Sequence, residues 1–216
     1  MSSHFNTPIS QSNTNWHSSV VSACQLSRVD TPLCSTHKIL NSFFDGGLPL
    51  GSVCEWGSPW GSGGRELALT FLKSKLASDN YWSLWVQAQE GSQFYAPALQ
   101  SRGVDLDYLR LAYTKTPIKD LKAVFTDSFF KFVILDSCVL SKDDCAFLKR
   151  QAKALNQTIL LIRPYFLSER NGNVWAKIRL NCWQNMFDSK YYLKVVKGLS
   201  PRSLSIDNLG PTSISL

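Results

Sequence analysis

Residues 51–72 read GSVCEWGSPWGSGGRELALTFL, and no other stretch restricts the fold so tightly. A short apolar run from Val53 to Trp56 enters a Gly/Ser/Pro turn. The turn opens directly into a helical pattern carried by Leu67, Leu69, Phe71, Leu72 and Leu76. A strand, a glycine turn and a helix in that order form the setting of a phosphate-binding loop, whose backbone amides cradle phosphates while a lysine reaches the β- and γ-phosphates and a hydroxyl holds magnesium. Here Gly64 stands at the lysine position and Arg65 at the hydroxyl position. The outline of a nucleotide-binding turn is present without its chemistry. Gly61, Gly63 and Gly64 still allow inward amides, and a helix N-terminus attracts anions. Arg65 brings a guanidinium fork rather than the point charge of a lysine. Two readings stand open at this stage: residual nucleotide binding at Gly61, Gly63, Gly64 and Arg65, or a relic turn. The missing lysine favours the relic.

The rest of the chain repeats the same grammar. Tyr81 to Gln87 reads as a strand, residues 92–101 as a helix, and Tyr108 to Tyr113 as a strand. Ile118 to Asp127 reads as a helix. Lys131 to Asp136 is a continuous apolar run ending in a carboxylate, the pattern of a strand buried on both faces. A capped helix runs from Ser141 to about Asn156, and Thr158 to Ile162 is a further buried strand. Strand and helix in alternation imply an α/β domain with a mostly parallel sheet. Asn173 to Cys182 and Lys190 to Val196 read as two antiparallel additions at one edge. The expected organisation is a flexible segment over residues 1–36, one domain over 37–198, and an irregular tail over 199–216.

Asp136 ends its strand where a magnesium-positioning acid sits in P-loop proteins, and it joins the glycine loop as a candidate nucleotide-site residue. Glu90, after the second strand, is the one candidate for orienting water there, and a surface role is favoured. Trp82 and Trp85 lie three apart on one strand, which puts them on opposite faces and favours core packing over base stacking. Trp56 and Trp60 flank the glycine loop and are suited to filling a space once open to ligand.

The chain has 216 residues and a formal charge of +7. Such a bias suits an anionic partner such as nucleic acid, or simply solubility. The basic residues cluster late, and Arg163, Lys177, Arg179, Lys194 and Lys197 form the candidate DNA-contacting set. The competing reading is a solvated edge whose charge discourages aggregation. None of the six cysteines forms a C-x-x-C pair, which fits a reducing, cytoplasmic setting. All three histidines precede residue 38, so a histidine-based zinc or acid–base centre in the domain is not expected. No stretch is long and apolar enough to suggest a membrane span, and no signal peptide is visible.

The run from Phe44 to Pro59 resembles the opening of the RecA/RadA recombinase core, and the Asp136-Ser137 strand ending is similar to its Walker B segment. Residues 95–109, YAPALQSRGVDLDYL, resemble the helix and turn after its second strand. Residues 158–164 and 191–197 look like its later strands. The resemblance spans residues 38–198 and implies a RecA-like P-loop NTPase core. Within that superfamily the tryptophan-rich loop and the YAPAL segment resemble the ImuA family, accessory proteins of bacterial damage-induced mutagenesis. That resemblance implies a cytoplasmic, nucleoid-associated adaptor in SOS-induced translesion DNA synthesis. Its implied partners are an ImuB-type Y-family polymerase homologue, RecA, an error-prone DnaE-type polymerase and DNA. The departures at Gly64 and Arg65, with Gln89 near the catalytic glutamate position, argue against ATP and magnesium as cofactors and leave no catalytic residue assigned. Two rival expectations remain: an ATPase with a displaced lysine, for which Lys73 and Lys75 lie over two helical turns away, and a SulA-type cell-division inhibitor. The tail, with Leu204, Ile206 and Leu209, is a candidate partner-binding segment.

Overall fold

The buried strands predicted around residues 131–136 and 158–162 sit side by side at the centre of an eight-stranded sheet. The structure, a computed structural model, describes residues 32–72, 81–88, 94–170, 172–200 and 202–207. In chain order the elements are α1 (Lys38–Phe43), β1 (Ser52–Gly57), α2 (Gly64–Leu72), β2 (Trp82–Gln87), α3 (Ala96–Ser101) and β3 (Leu109–Tyr113). They continue with α4 (Pro117–Asp120), β4 (Phe130–Asp136), α5 (Lys142–Leu155), β5 (Thr158–Arg163), β6 (Ile178–Gln184), β7 (Lys190–Lys197) and β8 (Ser203–Asp207). The strand order is β3-β2-β4-β5-β1-β6-β7-β8. The first six are parallel, and β7 and β8 add antiparallel at one edge. The α/β class, the mostly parallel sheet and the antiparallel edge are as the sequence implies.

Alternation along β1 divides the interior in two. Cys54 and Trp56 join the core beneath α1 and α2, with Leu40, Leu67 and Phe71. Val53 joins the core beneath α5, with Val133, Leu148 and Ile159. Full burial of a Leu, Ile or Phe side chain contributes about 1.5–3 kcal/mol, so these two layers hold the sheet flat against its helices. Helix α5 carries the strongest local signal: Ser141 Oγ accepts from Asp144 N at 3.1 Å while Asp144 Oδ2 accepts from Ser141 N at 2.9 Å. This capping box satisfies two otherwise unpaired donors.

Three details differ from expectation. Residues 203–207, expected within an irregular tail, form edge strand β8, whose Ile206 is buried and whose Leu204 packs on the α2-side core. The helix expected over 118–127 divides into α4 and a 3-10 turn at Lys122–Phe125, because Leu121 leaves helical geometry (φ −118°, ψ 32°) and Phe125 is turned wholly inward. Residues ahead of α1 are packed: Leu33 exchanges both backbone hydrogen bonds with Leu48 at 2.8 Å, and its side chain is buried. Among the described residues no helix is long and apolar enough to cross a membrane. Most of residues 1–36, and Lys73, Lys75, Gln89, Glu90 and Leu209, lie outside the described residues.

Candidate functional site

The glycine loop leaves the carboxyl end of β1 and enters α2, while Asp136 ends β4 two strands away, with β5 between. In an open parallel sheet this edge is where ligands bind. Gly61 (φ +76°) and Gly63 (φ +84°) adopt the left-handed conformation that glycine favours, so they make the turn the sequence implies.

The loop's polar groups are turned on one another. Ser58 Oγ accepts a hydrogen bond from Gly64 N at 3.0 Å, which takes up an amide that a phosphate would need. Ser62 Oγ lies 2.8 Å from Ser58 Oγ and donates to Pro59 O at 2.7 Å. Gly64 sits so tightly that a Cβ there would overlap Ser58 Oγ and come within 2.8 Å of Cys182 Sγ. No lysine fits at that position without displacing the loop. A Cβ at Gly63 would come within 2.8 Å of the Tyr191 ring.

Arg65 and Asp136 come together and complete the closure. Arg65 Nε donates to Asp136 Oδ2 at 2.7 Å, and Nη2 donates to Oδ1 at 2.6 Å. Nη2 also reaches Ser137 Oγ at 3.2 Å. The Asp136 side chain is fully buried and that of Arg65 is 21% exposed. The guanidinium lies 3.4 Å from the centre of the Trp60 ring. A two-pronged Arg–carboxylate pair is among the strongest side-chain contacts, and stacking on an indole adds to it. Both oxygens that would face magnesium are taken by a cation of the chain itself. These residues do not fit a magnesium–nucleotide complex: an amide is capped, the lysine position is filled by neighbours, and the acid is neutralised.

The five basic residues expected on one phosphate-facing surface are divided among three places. Arg163 and Arg179 point inward onto Glu55, at 2.9 Å to Oε1 and 3.0 Å to Oε2. All three are buried, and Glu55 lies directly opposite Arg179 in the β1–β6 register. Arg163 Nη1 also donates to Cys138 O at 2.9 Å, and Arg179 Nη2 to Ser168 O at 3.2 Å. Two guanidiniums on one carboxylate hold the crossing from β5 to β6 in place. Lys194 is exposed on β7 opposite Asn181. Lys177 and Lys197 lie at the other edge of the sheet, beside β1's first residues.

Sequence reasoning passed over Glu55, because a lone carboxylate within VCEW reads as an interruption of a buried strand. Its signal is that interruption: an acid in a strand buried on both faces requires a buried cation. It also passed over the surface of the carboxyl edge. Trp60, Tyr113, Val139, Tyr165, Phe166, Met186 and Phe187 all lie at or just beyond the ends of parallel strands and are all exposed, Met186 at 92% and Phe187 at 101%. The β6–β7 turn that carries Met186 and Phe187 adjoins the glycine loop, since Gln184 N donates to Ser62 O at 2.7 Å.

Burial also sets the thiol chemistry. It pushes the Cys54, Cys138 and Cys182 thiols up to about 12. At Cys138 the nearby Asp136 charge adds to that rise. All five described cysteines are free. No protein-family model matches the chain, and no curated protein matches it either.

Proposed function

We propose that this chain is a RecA-like protein of the ImuA type that acts as a non-catalytic adaptor in damage-induced translesion DNA synthesis, binding an ImuB-type Y-family polymerase homologue. The observation that carries the reading is the conversion of the nucleotide edge. Where the glycine loop and Asp136 would meet a nucleotide, Arg65, Ser58 and Ser62 fill the space. The rim of the same edge is an exposed apolar surface. Exposed apolar area gathered on one edge marks a protein-docking surface. The hairpin tip with Met186 and Phe187 is the anchor, on the principle that a few large side chains carry most of an interface's energy. RecA and an error-prone DnaE-type polymerase are further partners in this proposal.

The test is calorimetric titration of the chain with an ImuB-type partner, wild type against Met186→Ser/Phe187→Ser. Burying two such side chains contributes about 3 kcal/mol or more, so the double variant is expected to bind at least tenfold more weakly. Equal affinity excludes the hairpin tip as the anchor. In parallel, titration with fluorescent ATP and magnesium is expected to show no saturable binding that depends on Asp136. ATP binding or hydrolysis that disappears in Asp136→Ala would overturn the adaptor reading.

A further inference from the structure

The edge opposite the glycine loop carries a second feature of different chemistry. A cleft of about 310 Å³ opens beside the first residues of β1 and is lined by Lys149, Lys153, Lys177 and Lys197. Lys149 and Lys153 are one turn apart on the exposed side of α5, so both project over the cleft. Lys177 precedes β6, and Lys197 ends β7, which runs antiparallel and so returns to the same edge. Lys197 Nζ is held at the rim by Val174 O at 2.9 Å and Ala176 O at 3.0 Å. Among the described residues, no acidic side chain lines the cleft and none of the four lysines is in an ion pair. Five cations outside the cleft are matched with acids: Arg65 with Asp136, Arg102 with Glu66, Arg163 and Arg179 with Glu55, Lys190 with Asp207. Four lysines around one cleft with no acid among its described lining make it electropositive, which favours an anion. Trp175, half-buried, forms part of the wall.

We propose that this cleft is a nucleoside-phosphate site, in which the four lysines hold phosphate and the Trp175 ring takes a base. The cleft is about the size of the smallest ligand pockets, which suits one nucleotide unit, either free or within a single strand. Lysines around an aromatic ring are the combination that binds single-stranded nucleic acid without sequence preference. The site is remote in the sheet from the closed loop and does not rest on the adaptor reading.

The experiment is fluorescence anisotropy with a labelled twelve-nucleotide thymidine strand at salt concentrations from 50 to 200 mM, with AMP and ATP as unlabelled competitors. If all four lysines engage a strand, log affinity falls with log salt at a slope of about −2.8, a loss of about fifty-fold across that range. Lys149→Ala/Lys153→Ala is expected to reduce the slope to about −1.4 and the loss to about sevenfold. Lys115→Ala/Lys142→Ala, which removes the same charge beyond the carboxyl ends of β3 and β4, is expected to bind as wild type. Trp175→Ala is expected to weaken binding at least fivefold and Trp175→Phe to retain most of it. Binding of the strand but not of mononucleotides identifies a strand as the natural ligand. Equal binding of mononucleotides, lost in the Lys149/Lys153 variant, identifies a free nucleotide. The proposal is overturned if neither ligand binds, if the Lys149/Lys153 variant matches its charge-matched control, or if Trp175→Ala binds as wild type.

Discussion

Arg65→Ala is expected to cost more stability than Asp136→Ala, although the two side chains share the same two hydrogen bonds. The asymmetry follows from burial. Asp136 is fully buried, and once Arg65 is removed its carboxylate keeps one side-chain donor, Ser137 Oγ at 3.0 Å. Breaking a buried ion pair by removing one partner costs about 3–5 kcal/mol, mostly from the charge left behind. Loss of the contact with Trp60 adds about 0.5–1 kcal/mol. Removing Asp136 instead leaves a guanidinium that is already 21% exposed, lies over Trp60 and can turn toward water. That change forfeits charged hydrogen bonds worth about 1.5–3 kcal/mol, partly replaced by solvent. The double variant Arg65→Ala/Asp136→Ala removes the stranded charge together with its partner. It should therefore be more stable than Arg65→Ala alone, with a coupling energy of about 2–3 kcal/mol. Urea unfolding of the three variants at pH 7, read as midpoint shifts at constant slope, measures each quantity. Losses of this size leave a protein of ordinary stability folded. If Arg65→Ala costs less than about 1 kcal/mol, or no more than Asp136→Ala, then the arginine is not what neutralises the buried acid.

Two further expectations concern the interior. Glu55→Ala strands two buried guanidiniums, so a loss of at least about 3–5 kcal/mol is expected in urea unfolding, and a loss under 1 kcal/mol would show that Arg163 and Arg179 are satisfied without it. Stability should also fall in base. The thiols of Cys54, Cys138 and Cys182 ionise near 9 when unfolded but are pushed to about 12 by burial, so between those values the unfolded chain holds fewer protons than the folded one. Each thiol removes about 1.4 kcal/mol per pH unit within that window, and the three together about 4. The contribution is complete below pH 9, and equal urea midpoints at pH 8 and pH 10.5 would contradict it.

The legible parts of the chain were those in which local pattern and burial agree. Two strands buried on both faces read as apolar runs, and α5 announced itself through Ser141 and Asp144. Strand β8 escaped notice because its five residues offer one alternation only, Leu204 and Ile206 inward against Ser203, Ser205 and Asp207. The glycine loop and Asp136 were each visible, but their relation to Arg65 was not, since a separation of 71 residues carries no local signal. The same limit hid the fate of the basic residues. Parity along β6 groups Lys177 with Arg179, yet Arg179 faces Glu55 across the register and is drawn inside, while Lys177 stays exposed just ahead of the strand. Lys149 and Lys153 join Lys177 and Lys197 only after the sheet brings the end of β7 back beside α5.

A glycine loop with Gly64 and Arg65 where a phosphate-binding loop has its lysine and hydroxyl must satisfy its own polar groups. It leaves a carboxylate at the end of a buried strand with no metal or lysine to answer it, in a space lined by glycine amides. Arg65 resolves the first difficulty, because the first turn of α2 points its side chain along the edge toward β4. Ser58 resolves the second by capping the leading amide. The site is closed in this way, and the rim of the same edge carries Trp60, Phe166, Met186 and Phe187 in solvent. Four lysines, by contrast, gather at the far edge, where no acid among the described residues lines the cleft. An apolar edge and a cationic edge on opposite ends of the same strands are compatible with simultaneous occupancy, since neither partner competes with the other for side chains. On the two readings proposed above, this separation suits an adaptor between a protein and a nucleic acid.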